Sequence, residues 1–487
     1  MLRRPPYAAI TLAASVALLA SCNSVSGIND IKLVPVIVPV AADGVTINEI
    51  AVYQGPKRGL KGGAPGTPGV MVPVVAGRAA LVRVFVTVDD SYDKSPVTAR
   101  LVIGDAAPIE LVTTPVSSTE EDIASTLNFE VPGDLLKPGV AYHVELTQPS
   151  DHASGDNKAA RHPESGDEDM GVTSSGAQLK LVLVPVKYGA DGSNRLPDIS
   201  ETQIQGYKDA FYKTYPTPKV ELEVHEPMQW NKTISPSGAG WGEILDAIAQ
   251  FRQKNNAPPE TYYFGIFSPK ATFDQYCQSG CVAGLAMVGS PSDTYTHAGV
   301  GVGFTGYMAF STAIHEVGHT QGREHADCGG AQQIDPNFPH PNAGVGVWGF
   351  DLVARTLISP TQGKDMMGYC DPYWISDYTY EAIFQQMKLV NNARTFVPEG
   401  MKNLEWERAR VGMDGELVWL DPVIMELPPR GEPLSVTVHG PSGSQTRNGQ
   451  FFPYDHIPGG VILWQKDPSP IAGIQVTLQG QVKSLVK

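Results

Sequence analysis

Between residues 44 and 148 the chain runs in short β-branched stretches separated by turn residues. "ALVRVFVTV" (80–88) sets Val82, Val84, Val86 and Val88 on one side. "TARLVIG" (98–104) and "AYHVELT" (141–147) repeat that period of two, with "VPGD" and "KPG" as turns. The pattern predicts a small antiparallel β-sandwich over 44–148. Residues 149–177 are polar and charged with almost no large apolar side chain, which predicts a mobile linker or an extended surface loop. His152 and His162 lie in it and read as solvated.

The period then changes. "LKLVLVPVKY" (179–188) is a continuous apolar run of the buried-strand type, and "DISETQIQGYKDAFYKTY" (198–215) reads as a helix with Ser200 at its N-cap. "KVELEVHE" (219–226) alternates as a strand. "WGEILDAIAQFRQKN" (241–255) places Ile244, Leu245, Ile248 and Phe251 on one helical face, and "TYYFGIFS" (261–268) and "CVAGLAMVG" (281–289) return to strands. Strands alternating with helices predict a layered α/β unit over 178–395. Beyond residue 396, "LVWLDPVIMEL" and "GGVILWQK" predict a second all-β sandwich over 396–487. The expected fold class is an α+β domain with a twisted mixed sheet, flanked by two β-sandwiches.

The ends change the picture. Arg3 and Arg4 precede an apolar run from Tyr7 to Ala20 that is too short for a span and closes in small residues, the pattern of an export signal over residues 1–21. "LASC" (19–22) resembles the bacterial lipobox. That resemblance implies lipidation of Cys22, with residues 22–43 as a tether. Asn23 in place of an aspartate implies an outer-membrane address, with the membrane engaged only through the lipid.

The net charge is −15; loss of residues 1–21 removes two arginines and no acids, giving −17. Such a charge repels phosphate backbones and excludes nucleic acid as a partner class. A monomer is expected. Cys277, Cys281, Cys328 and Cys370 remain, an even number in an exported chain, so two disulfides are expected. Three pairings are possible. The expected one is Cys277 with Cys281 and Cys328 with Cys370.

"HEVGHTQGREH" (315–325) takes three of the chain's 11 histidines. Residues four apart share a helical face, so His315 and His319 can aim at one ion. Glu316 stands roughly 100° around the helix, flanking that ion without binding it. Gly322 tolerates positive φ, so the chain can turn there and bring His325 back. Three neutral imidazoles plus a water form an open zinc site of the catalytic type, with Glu316 placed as general base.

H-E-x-x-H-x-x-G-x-x-H resembles the signature of the metzincin zinc metallopeptidases. The resemblance implies a downstream methionine turn. "KDMMGYC" (364–370) supplies it, with Met367 as the turn methionine and Met366 as the competing choice. It implies that Tyr369 contacts the zinc or the oxyanion, as in some subfamilies. It also implies that Gly284, Leu285 and Ala286, in "AGLAMVG" (283–289), form an edge strand pairing with extended substrate. "DPNFPHPNAGVGVWGFD" (335–351) is similar to a specificity loop, and His340, His225 and His297 read as surface residues outside the ligand set. "YCDPYWISDYTYEAIFQQM" (369–387) and "VAGRAALVRVFV" (75–86) resemble parts of secreted bacterial metzincins, including those that cut mucin-type glycoproteins.

By this resemblance the expected activity is endopeptidase cleavage of extracellular proteins or glycoproteins. One catalytic Zn2+ and attack by zinc-bound water are implied. A different class also fits the same chain: a non-catalytic outer-membrane lipoprotein that binds protein or glycan, its zinc structural. A zincin with Glu324 as third ligand is a further alternative. Glu316 discriminates, because a structural centre has no use for a base beside an open position.

Overall fold

The computed structural model describes residues 36–487 except 177, 291, 292 and 397; the signal segment and Cys22 lie outside the described residues. Among the described residues no helix is long and apolar enough to cross a membrane.

In the N-terminal region two antiparallel sheets face each other. One contains Val45–Tyr53, Ala80–Val88 and Leu127–Val131, and the other Val97–Ile103 and Ala141–Pro149. The alternation explains the packing: Val82, Val84 and Val86 meet Val97, Ala99 and Leu101 in one core. The end of the segment expected as a tether belongs to this sandwich, since Pro39–Ala41 pairs with Ala141–Pro149. Residues 149–177 are not a free linker. Arg161–His162 and Glu168–Asp169 pair with that same long strand, Val172–Thr173 pairs with Val74–Val75, and Ala160, Met170 and Val172 enter the core. A few apolar residues spaced along a polar segment suffice to pin it. His152 and His162 pair with Asp93 and Glu168 at its surface.

The central region is built on a mixed sheet in the order Val220–Val224, Leu179–Tyr188, Thr261–Phe267, Ala298–Val302, Gly284–Leu285; only the last strand is antiparallel. Both faces are covered, as a continuous apolar run requires. Val182, Val184 and Val186 face the helix Trp241–Lys254, while Leu181 and Leu183 face the helices Glu201–Thr214 and Tyr307–Thr320. Ser200 caps Glu201–Thr214, accepting from the amide of Gln203. The glycines of "AGVGV" let Tyr307–Thr320 lie close to the sheet. A Cβ at Gly301 would come within 2.8 Å of both Phe264 and Thr312.

The C-terminal all-β region is one continuous antiparallel sheet of seven strands that curls on itself. Its first and last strands approach each other: Trp419 in Leu417–Met425 donates its indole N–H to Val486 in Gln481–Val486. Ile462 and Trp464 fill the interior, whereas Val461 and Leu463 point outward into the core of the central region. Period-two patterning on both faces therefore docks this region instead of leaving one face wet.

The loop 335–351 also docks. Phe350 packs with Tyr53, Leu81 and Phe85 of the N-terminal sandwich, and its amide donates to Gly55. At least residues 348–351 join two regions instead of lining a binding cleft. His340 is half-buried and bonded to Asp377 at 2.7 Å. His297, expected at the surface, is fully buried, with Nδ1 2.7 Å from the carbonyl of Pro259.

Candidate metal centre

The histidine helix starts at Tyr307, four residues before Ser311, because Gly306 and not a side-chain cap precedes it. Its C-terminal end is a Schellman turn: Gly322 N–H donates to His319 and Arg323 N–H donates to Gly318, with Gly322 at φ 75°. The reversal returns the chain so that His325 pairs beside Ile334.

His315, His319 and His325 then converge. His319 Nε2 lies 3.1 Å from His315 Nε2 and 3.2 Å from His325 Nε2. Each Nδ1 faces a backbone carbonyl: Met366 for His315 at 2.7 Å, Arg323 for His319 at 2.6 Å, Gln332 for His325. A carbonyl only accepts, so each Nδ1 carries the hydrogen and each Nε2 presents a lone pair. Three lone pairs converging in a buried space repel unless a cation lies between them. Ligands about 2.05 Å from a tetrahedral ion stand roughly 3.3 Å apart, close to the observed spacing. The residues fit a metal.

Burial favours the neutral ring throughout. It pushes His319 down to about 4 and His325 to about 3, and it lowers His315 well below the ordinary imidazole range, helped by the neighbouring imidazoles. Glu316 is buried with Oε2 unpartnered. Burial, then the charge of Asp455, raises its carboxyl well above the usual range. Gly284 is placed for this carboxyl, since a Cβ there would lie 2.1 Å from Glu316 Oε1.

The turn Asp365–Gly368 forms the floor. Asp365 accepts from the amide of Met367, and Met366 supplies the carbonyl that orients His315. Met367 lies under Gly318, where a Cβ would meet its sulfur at 2.5 Å. Tyr369 is half-exposed with its hydroxyl 3.1 Å from His325 Nε2. The disulfide Cys328–Cys370 ties the segment after His325 to the residue after Tyr369, and Cys277 pairs with Cys281. Glu324 is not in the cluster. A cleft of about 260 Å³ opens beside His315 and Glu316, walled by Tyr307, Met366, Tyr369 and His456.

A family model, Peptidase M66, matches residues 279–373. Over that stretch the chain is similar to Peptidase M66. The matched residues include the edge strand, Glu316, the three histidines and Met367, which supports a metallopeptidase family and hence a peptidase with a metal site. No curated protein matches the chain.

Two residues of the site were not foreseen. Asp455 and His456 lie outside the Peptidase M66 match, on the loop between the C-terminal strands Gly443–Pro453 and Gly460–Gln465. Asp455 Oδ2 is 3.2 Å from His319 Nε2, and His456 Nε2 is 3.6 Å from Glu316 Oε1. Burial works against ionisation of Asp455, but His456 and His319 outweigh it and hold its carboxyl well below the usual range. The only signal was a histidine in "YDHIPGG", with nothing in the spacing to join it to residues 140 positions away.

Proposed function

We propose that the chain is a zinc-dependent endopeptidase of the metzincin kind that cleaves extracellular proteins or glycoproteins, tethered by a lipid on Cys22 at the outer membrane. The observation that carries this reading is the convergence of three imidazole lone pairs beside a buried carboxylate at the head of an open cleft. His315, His319 and His325 would hold the ion. When bound, zinc supplies Lewis acidity, acidifying water and polarising a scissile carbonyl.

The protein's own groups do the rest. Glu316 removes a proton from the attacking water and delivers it to the leaving amine as the C–N bond breaks. Tyr369, its hydroxyl at the edge of the cluster, donates to the developing oxyanion. Met367 and Gly318 keep the floor rigid, and the backbone carbonyls of Met366, Arg323 and Gln332 hold the rings in their ligating tautomer.

The test compares the full chain with Glu316→Gln on casein and a mucin-type glycoprotein, with zinc quantified in both. The expected result is one zinc in each and a rate at least about 10²-fold lower in the variant. Equal cleavage by both proteins, or absence of zinc from the wild type, would sink the proposal.

A further inference from the structure

The loop Tyr454–Gly459 reaches out of the C-terminal sheet into the metal centre. It is anchored on both sides. Tyr454 and Ile457 are buried in the core shared with the central region, and Tyr454 N–H donates to Gly459 across the loop. At the tip, Asp455 and Ala286 exchange bonds. Ala286 N–H donates to Asp455 Oδ1 at 3.0 Å, and Asp455 N–H donates to the Ala286 carbonyl at 3.4 Å. Tyr454 bridges Met287 in antiparallel fashion.

These contacts use the chain immediately following Gly284–Leu285. That is the segment from which an extended substrate would draw its main-chain hydrogen bonds. Part of that rim is taken by the protein itself.

His456 sits over the three histidines. Its ring centroid is 5.0 Å from that of His325, 5.3 Å from His315 and 5.6 Å from His319. One ligating atom from each of the four histidines lies within 4.8 Å of the others. Glu316 Oε2 is unpartnered in the same space, and His456 Nδ1 is paired with Asp455 Oδ2 at 2.6 Å, which leaves His456 Nε2 to carry a lone pair. Four nitrogens close a tetrahedral zinc site, whereas turnover needs one position open.

We propose that His456 is a fourth nitrogen ligand of the resting metal centre, and that Tyr454–His456 is a built-in occupant of the cleft which must withdraw before a peptide substrate binds. The C-terminal region thereby controls access to the site, and Asp455 holds the occupant on Ala286. The inference rests on the metallopeptidase reading.

The test loads the full chain and His456→Ala with Co2+ and records the visible bands and the affinity by chelator competition. Casein cleavage by the Zn2+ forms is followed in parallel. The expected result for His456→Ala is shifted bands, metal binding weaker by about tenfold or more, and cleavage faster by about tenfold, as for an occupant filling the site some 90% of the time. Unchanged bands and affinity would overturn the proposal. Cleavage falling to the Glu316→Gln level would also overturn it, because His456 would then belong to the catalytic groups. If neither protein binds Co2+, the metallopeptidase reading fails and not this inference alone. Should His456→Ala not fold by circular dichroism, His456→Asn takes its place with the same outcomes.

Discussion

Two buried residues before the Ala298–Val302 strand show how much a single position can matter. Asp293 is fully buried, and burial, offset by hydrogen bonds from Arg430 and Ser290, pushes its carboxyl up to about 6 from 3.8. Burial, then the charge of Arg252, lowers His297 to about 3 from 6.5. Asp293 is protonated more readily folded than unfolded, so its contribution is present below pH 3.8 and lost as pH rises to about 6. His297 resists protonation when folded, so its contribution is present above pH 6.5 and lost as pH falls toward 3. Between pH 4 and 6 the two slopes oppose each other, each about 1.4 kcal/mol per pH unit. Asp293→Asn should therefore lose stability on acidification across that window, and His297→Gln should gain it. Urea midpoints at pH 4, 5 and 6 decide; slopes parallel to wild type in both variants would refute the assignment. Gly318 is the second case. Gly318→Ala would force a methyl to 2.5 Å from Met367 Sδ, an overpacking worth about 1–3 kcal/mol. Denaturation midpoints and zinc affinity should both fall, and an unchanged pair would show the floor to be softer than described. Among residues, the ligand helix was readable because its chemistry repeats at helical spacing. Asp455 was not, because its partners His319 and Glu316 lie in another region of the chain.

At the scale of elements, ends carrying a special backbone requirement were readable and ends without one were not. Gly322 marked the close of the histidine helix because a Schellman turn needs φ > 0 there. Its start at Tyr307 carries no such mark, since Gly306 offers no capping side chain and Ser311, a residue type common at caps, instead bonds back to Met308 within the helix. The segment 149–177 misled for a similar reason. Its pairings are each two residues long and are split between Ala141–Pro149 and Val74–Val75, so no period forms. The Schellman turn gives a testable consequence. Gly322→Ala puts a β-carbon at left-handed φ and 2.9 Å from the carbonyl of Gly289. About 1–2 kcal/mol of stability should be lost, and zinc affinity should fall because the turn aims His325. Thermal melting and chelator competition measure the two effects. Loss of stability with unchanged affinity would mean that the bridge beside Ile334, not the turn, positions the third imidazole.

For the whole molecule, the central and C-terminal regions share one core, so they should unfold together. Val182, Ile248 and Val300 from the first pack in the same cluster as Trp406, Met425 and Leu463 from the second. Strand content was legible in the sequence, but docking was not. A strand apolar on alternate positions does not announce that its other face is covered too, as Val461 and Leu463 are. One buried polar group marks this interface. Arg408 is fully buried, bonded to Asp246 and, at 3.1 Å, to the hydroxyl of Tyr295, while its Nε donates to the Asp421 carbonyl. Removing the arginine leaves the Asp246 carboxylate uncompensated in an apolar setting, which costs about 3–5 kcal/mol; removing both charges leaves neither stranded. Arg408→Met should therefore destabilise strongly, and Arg408→Met with Asp246→Leu should recover most of the loss. The transition should stay single in all three proteins, with tryptophan fluorescence and far-UV circular dichroism coincident. Two separated transitions in Arg408→Met would mean that the C-terminal sheet folds independently. Its loop at the metal centre would then be held by the contacts of Tyr454 and Asp455 alone.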